Sequence, residues 1–428
     1  MDQKQKSSIW TLLLVFLLLT APAALQAQYT YTTNADGISI TITGYTGSGG
    51  AVSIPTNING LTVTSIGSNV FLRNDGLTSV IIPGSVTNIG QAAFDVCTNL
   101  NSVTMVNGLT TIGGNAFGFC YFLTNVTIPD SVASIGEEAF IYCVSLTNMT
   151  IPGNVTNIGS EAFAFTDLTN VTIPANVTNI GEYAFGYNSH LTSATVPGGA
   201  YAGEYNFFHG FANDPNLANV TIANGVTSIV ETMFEDTSSL SNLTIPASVT
   251  NIGQSAFQSC SYLTNVTLSY GLTSIEEEAF SDTSLTTVTI PASVTNLGAY
   301  AFAPIGALPS FYFAGNAPIA VSAAFYGNGT VYYLPGTAGW SNTYSGYPAV
   351  LWNPQIQTSG PSFGVQNNQF GFNITGTSNI PIVVQACANL ASPVWTPLQS
   401  LTLTNGSYYF SEPLQTNSTA RFYRISAP

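Results

Sequence analysis

Of 428 residues only 6% are charged, with 5 Lys+Arg against 20 Asp+Glu and a net charge of −15. Five cations give no broad electrostatic grip on nucleic acid or on an anionic membrane surface. Only two His occur, which lowers the expectation of acid–base or metal chemistry, and 45% hydrophobic with 12% aromatic residues excludes a disordered chain.

Residues 1–27 read as a signal peptide. Lys4 and Lys6 form a positive start, Ile9 to Leu19 is an apolar run too short to span a bilayer comfortably, and small residues lead to Ala27. Cleavage near Ala27 leaves 19 acids and 3 bases, a formal charge of −16. No later apolar run reaches the length of a membrane helix, so no membrane span is expected in the mature chain.

From residue 61 onward the chain repeats. Phe follows Ala at 94, 117, 140, 163, 185, 257, 280 and 302, and Phe71 and Phe234 occupy the same slot. Spacings of 22 or 23 residues recur, and the gap from Phe185 to Phe234 divides as 23 plus 26 if Phe208 fills the missing slot. About eleven units result. In the unit from Leu123 to Cys143, Val126 and Ile128 alternate inward while Thr127 faces out, as in a short strand. Pro129 ends that strand because it cannot donate to a ladder. Val132 and Ile135 fill a second extended segment, Gly136 is assigned to a sharp turn, and Glu137 to Phe140 reads as a helical turn. No unit can bury its apolar face alone, whereas stacked copies can. The fold class expected is mainly β: a solenoid over 61–305, with a cap at 28–60 and another at 306–352.

These blocks, Leu-Thr-Asn-Val-Thr-Ile-Pro, Ser-Val-Thr-Asn-Ile-Gly and Ala-Phe-x-x-Cys, resemble the BspA-like leucine-rich repeats of secreted and surface bacterial proteins. The resemblance covers about Leu61 to Trp352. It implies adhesion or recognition without catalysis.

Four features within the array could carry chemistry. Cys97, Cys120, Cys143 and Cys260 each follow the repeat Phe by three residues. That register fits a buried thiol column better than a metal site, although neighbouring coils could in principle bring thiols within disulfide range. The Asn-x-Ser/Thr sequences, among them Asn125, Asn170 and Asn242, could accept glycans, but most are by-products of the repeat whose Asn and Thr satisfy backbone groups at the strand edge. The outward strand positions form a hydroxyl row that includes Thr127, Thr150 and Thr172. It suits an extended peptide or a neutral glycan, and it equally suits strand packing alone. The irregular stretch from His190 to Asp214 drops the repeat template and offers Tyr201, Tyr205, Phe207, His209 and Phe211, residue types that anchor interfaces. No metal or other cofactor is expected.

After Trp352 the repeat stops. Residues 353–428 alternate in short runs, with a hairpin signal at Asn405-Gly406. A small antiparallel β-sandwich of about six strands is expected. The ending Arg421-Phe-Tyr-Arg424 resembles C-terminal modules on secreted proteins of environmental bacteria. The functional expectation is a secreted or cell-surface recognition protein that binds an extracellular protein. A polysaccharide-binding protein and a purely structural surface-layer component are the alternatives.

Overall fold

The computed structural model describes residues 28–198, 208–304, 310–320, 323–327, 329–414 and 420–427. Among them every regular element is a strand.

The repeat closes into stacked coils with three sides. One side carries the longer strands, such as Ser102–Met105 and Asn125–Thr127, paired in parallel with Val103 against Val126 and Thr104 against Thr127. A second side carries two-residue strands, Asn88–Ile89, Thr111–Ile112, Ser134–Ile135, Asn157–Ile158 and Asn179–Ile180, again parallel and in register. Each position meets its own copy one coil away, so an isoleucine such as Ile135 packs between Ile112 and Ile158. The expected inward set, Leu123, Val126, Ile128, Val132 and Ile135, is buried.

The third side differs from expectation. The segment around each repeat Phe is a run of turns and not a helical turn: Glu138 and Tyr142 have φ of 54° and 56°, and the equivalent residues of other coils match them. The amides of Glu138, Phe140 and Tyr142 donate to the carbonyls of Ser160, Ala162 and Ala164 in the next coil, at 2.8, 2.9 and 3.1 Å. A helix would direct those amides back along their own chain and leave the neighbouring coil's carbonyls unpaired. Stacking therefore imposes left-handed backbone on residues that do not favour it, including Val96 at 57°.

Gly136 also has a different role from the one its sequence suggests. It has no positive φ. A Cβ there would lie 2.6 Å from the backbone nitrogen of Gly114 and 2.7 Å from the carbonyl carbon of Gly113. Glycine is needed for the approach of one coil's backbone to the next.

The repeat phenylalanines form a single buried column from Phe71 to Phe302, with near-parallel rings 4.8 to 5.6 Å apart. Phe211, not Phe208, continues it: the rings of Phe185 and Phe211 are 5.5 Å apart, and those of Phe211 and Phe234 are 5.6 Å apart. The three extra residues of the irregular coil thus lie before its Phe. Tyr45 and Tyr29 close one end of the column, while Phe311 and Phe325 close the other.

The C-terminal residues form two antiparallel sheets. One pairs Gln369–Thr375 with Ser407–Pro413, Gly364–Gln366 and Gln355–Ile356; the other pairs Ile380–Cys387 with Thr396–Leu403 and Phe422–Ser426. This is the expected small sandwich. It packs against the last coils, where the outward strand row changes from Thr289 to Tyr312, Tyr332 and Val350. Tyr312 and Tyr332 are buried with Phe372, Ile374 and Ile382 of the sandwich, and the Trp352 indole N–H donates to the Pro381 carbonyl at 2.9 Å.

Candidate recognition surface

Three surfaces could meet a partner: the threonine row, the irregular coil and a stripe on the turn side. The threonine row is shorter than its sequence suggests. Thr127 and Thr172 are exposed on strands, but Thr150 lies in a stretch with no strand, so Thr127 and Thr172 belong to separate sheets. Further breaks fall between Asn219–Ile222 and Asn242–Ile245, and between Asn265–Leu268 and Thr287–Ile290. The row is therefore a set of short ladders. At one break a shallow depression of about 320 Å³ is lined by uncharged side chains, among them Thr221, Asn242, Thr244, Asn265 and Thr267. The asparagine amides of the repeat turn to adjacent hydroxyls, as Asn125 does toward Thr124 at 3.0 Å, while Thr124 donates to the Asn101 carbonyl.

In the irregular coil, Tyr201, Tyr205 and Phe207 lie outside the described residues. Phe211 is fully buried in the phenylalanine column and presents nothing to a partner, because it fills the core slot. His209 is half-buried and stacks on Tyr183 at 4.3 Å. Its Nδ1 is 3.4 Å from Glu182 and its Nε2 is 3.7 Å from Glu235. Burial lowers its pKa, while Glu182 and Glu231 pull in the opposite direction. His190 is exposed and pairs with Asp167 at 3.0 Å, apart from His209's carboxylates.

The third surface was not singled out from sequence. Phe119, Tyr142, Phe165 and Tyr187 stand two residues after successive repeat phenylalanines. Their rings stack in parallel at 5.1, 4.4 and 4.6 Å, with interplanar angles of 16°, 7° and 7°. Tyr183 lies 5.4 Å from Tyr187 and so joins this ladder to His209. Tyr121 meets Phe119 edge-on at 6.3 Å and extends the apolar surface at one end. The signal was present in the sequence as Ala-Phe-Gly-Phe, Ala-Phe-Ile-Tyr, Ala-Phe-Ala-Phe and Ala-Phe-Gly-Tyr.

Beneath these surfaces runs a buried polar column. Cys97, Cys120, Cys143 and Cys260 are unpaired thiols, as expected, and each S–H points at the carbonyl of the preceding coil's Phe at 3.1 to 3.3 Å. Burial pushes the Cys97 and Cys260 thiols up to about 12. Thr166, Thr237 and Thr283 occupy the same slot and donate to their own coil's Phe carbonyl. Asn188 donates to Phe163 and Phe185, at 3.0 and 2.5 Å. Asp214 completes the column. One of its oxygens accepts the Asn188 backbone N–H at 2.6 Å, the other has no partner, and burial raises its pKa well above the ordinary carboxylate range.

Among the described residues no group of three or more His, Cys, Asp or Glu could hold a metal ion, and no helix is long and apolar enough to cross a membrane. The Arg-Phe-Tyr-Arg ending is structural in its contacts. Arg421 and Tyr423 both bind Glu412, and Arg424 lies 4.4 Å over Trp395.

The pattern of the BspA type leucine-rich repeat region matches residues 64–193 and 203–327. The chain is a BspA-type leucine-rich-repeat protein. Among solved structures it is similar to a leucine-rich repeat protein from Bacteroides ovatus, at 25% identity over 72% of this chain and 70% of that one, with a TM-score of 0.47. A leucine-rich cell surface protein from Faecalibacterium prausnitzii matches at 29% identity over 68% of this chain and 94% of that one, TM-score 0.38. The T. pallidum leucine-rich repeat protein matches at 26% identity over 55% and 88%, TM-score 0.36. No curated protein is similar enough to match.

Proposed function

We propose that this BspA-type protein is a secreted or cell-surface, non-enzymatic recognition protein that binds an extracellular protein through its solenoid. The observation that carries this reading is the half-exposed ladder Phe119–Tyr142–Phe165–Tyr187, continued through Tyr183 to His209. A solenoid does not need aromatic residues at that position: other coils place Val96, Asn213, Asp236 and Ser259 there with the same backbone. Half-exposed aromatic side chains supply large contact area with few rotors to order, which is why they anchor protein interfaces. Thr127 and Thr172 offer a separate, uncharged strand face, and Tyr201, Tyr205 and Phe207 lie outside the described residues. A second reading, binding of a neutral glycan, rests on the uncharged depression around Thr221, Asn242 and Thr267. The test is to present immobilised residues 28–428 with separate purified panels of extracellular proteins and of polysaccharides. Saturable retention of a protein supports the first reading. Retention of polysaccharides alone replaces it with the second.

A further inference from the structure

The aromatic ladder has an acidic flank. Two positions before each repeat Phe stand Asn115, Glu138, Glu161 and Tyr183; two positions after stand Phe119, Tyr142, Phe165 and Tyr187. The small or buried side chains between them, such as Ile141 and Ala164, form the floor. The two rows are close, since the Tyr183 and Tyr187 rings are 5.4 Å apart across the floor. On the acidic row the Asn115 amide donates to Glu138 at 2.6 Å. The Glu161 carboxyl is raised by burial, then by Glu138, Glu137 and Glu182, so four carboxylates share one neighbourhood. Among the described cations only His209 reaches them, its Nδ1 3.4 Å from Glu182, while burial lowers its pKa; Arg73 acts on Asp95, Arg421 is bound to Glu412, Arg424 lies over Trp395 and His190 pairs with Asp167.

We propose that this stripe seats a cationic, extended polypeptide segment of the protein partner, with Arg or Lys stems across the ring edges and their charged heads at Glu138 and Glu161. The proposal rests on the recognition reading above and names the chemistry of its partner. Three ring separations of 5.1, 4.4 and 4.6 Å give a stripe about 14 Å long, the reach of about four extended residues. Parallel stacking covers the inner ring faces with neighbouring rings, so the ladder offers edges and not a flat platform for a sugar ring. Long aliphatic stems ending in a charge match such a surface, because their methylenes cover apolar edges while the head stays at the carboxylates and water. A single small cation would use the acids and leave the aromatic row idle.

The test uses residues 28–428 and a fluorescein-labelled (Arg-Ser)₄ octapeptide, read by fluorescence anisotropy. Two charge-matched variants separate the stripe from general acidity. Glu138→Gln with Glu161→Gln removes two charges beside the aromatics, and Glu276→Gln with Glu277→Gln removes two exposed charges from a distant coil. The stripe pair is expected to weaken binding at least tenfold and the distant pair less than twofold. Tyr142→Ser with Phe165→Ser, which alters no charge, is expected to weaken binding at least fivefold with the thermal midpoint within a few degrees of the parent. Binding should also fall steeply between 20 and 300 mM NaCl. Equal losses from the two glutamate pairs, or no binding of the octapeptide by the parent, overturns the proposal. If a captured extracellular protein is held as well by the Glu138/Glu161 variant as by the parent, the cationic-segment proposal fails and the recognition reading stands. If no extracellular protein is captured at all, the recognition reading is what fails.

Discussion

Asp214 gives the sharpest quantitative test of how the coils are held together. Its slot lies three residues after Phe211 and is fully buried; in eight other coils the slot holds a Cys, Thr or Asn whose side chain donates to a phenylalanine carbonyl. An ionised aspartate donates nothing. Burial instead keeps the acid protonated, with a pKa well above that of the unfolded chain. The native state therefore holds a proton that the unfolded state releases above about pH 3.9, so this residue's contribution to stability falls as pH rises from there toward its folded pKa. The limiting slope for one proton is about 1.4 kcal/mol per pH unit. Asp214→Asn retains the carbonyl that accepts the Asn188 backbone N–H and supplies a permanent donor. Guanidinium unfolding of parent and variant from pH 4 to 8 should give near-equal stabilities at the acid end. The variant should then gain on the parent with rising pH, at up to about 1.4 kcal/mol per unit until the pH reaches the folded pKa. The comparison removes the contribution of Glu161, Glu235 and Asp95, whose carboxyls are also raised but are common to both proteins. A difference that is flat with pH, or an Asn variant that is less stable throughout, would refute the assignment of a neutral acid to this slot.

Other outcomes follow from the same packing. Phe140→Ala empties one rung of the buried phenylalanine column and should cost about 3–5 kcal/mol in chemical denaturation; a shift under 1 kcal/mol would deny its burial. Alkylation after denaturation should label Cys97, Cys120, Cys143, Cys260 and Cys387, and alkylation of the native protein at pH 8 should spare the first four, because buried thiols with raised pKa react poorly. A Cys97–Cys120 bridge detected by mass spectrometry would overturn that. Val96→Asn relieves a β-branched residue held at φ 57° and should stabilise the protein by about 1 kcal/mol; no gain on thermal unfolding would show that stacking contacts of Val96 offset its backbone strain.

The period, the buried phenylalanine column and the inward strand positions were legible because each depends only on a residue meeting its own copy one coil away. Features that depend on how coils differ were not. Phe208 fits the spacing as well as Phe211 does, and only packing shows that the insertion precedes the core ring. The Glu137-to-Phe140 segment has a helical composition, yet its Glu138 and Phe140 amides are claimed by the next coil. Thr150 sits in nearly the same sequence block as Thr127, but Met149 replaces the inward Val126 and is only partly buried, and the strand is absent there. The aromatic ladder was visible in the letters but not as a surface. In one unit Tyr142 is merely a neighbour of Phe140; only stacked coils set Phe119, Tyr142, Phe165 and Tyr187 ring on ring.

The central claim, that the solenoid's aromatic ladder contacts a protein partner, is tested most directly by measuring affinity for a captured extracellular protein in two matched variants. Phe119→Ser with Tyr142→Ser strips two rungs of the ladder, and Leu390→Ser with Val394→Ser strips two exposed apolar residues from the C-terminal module. The account predicts at least tenfold weaker binding for the first pair, about 1.4 kcal/mol, with an unchanged thermal midpoint, and no change for the second. Loss of binding in the second pair with full binding in the first would contradict it, and would make the module the contact and the solenoid a spacer.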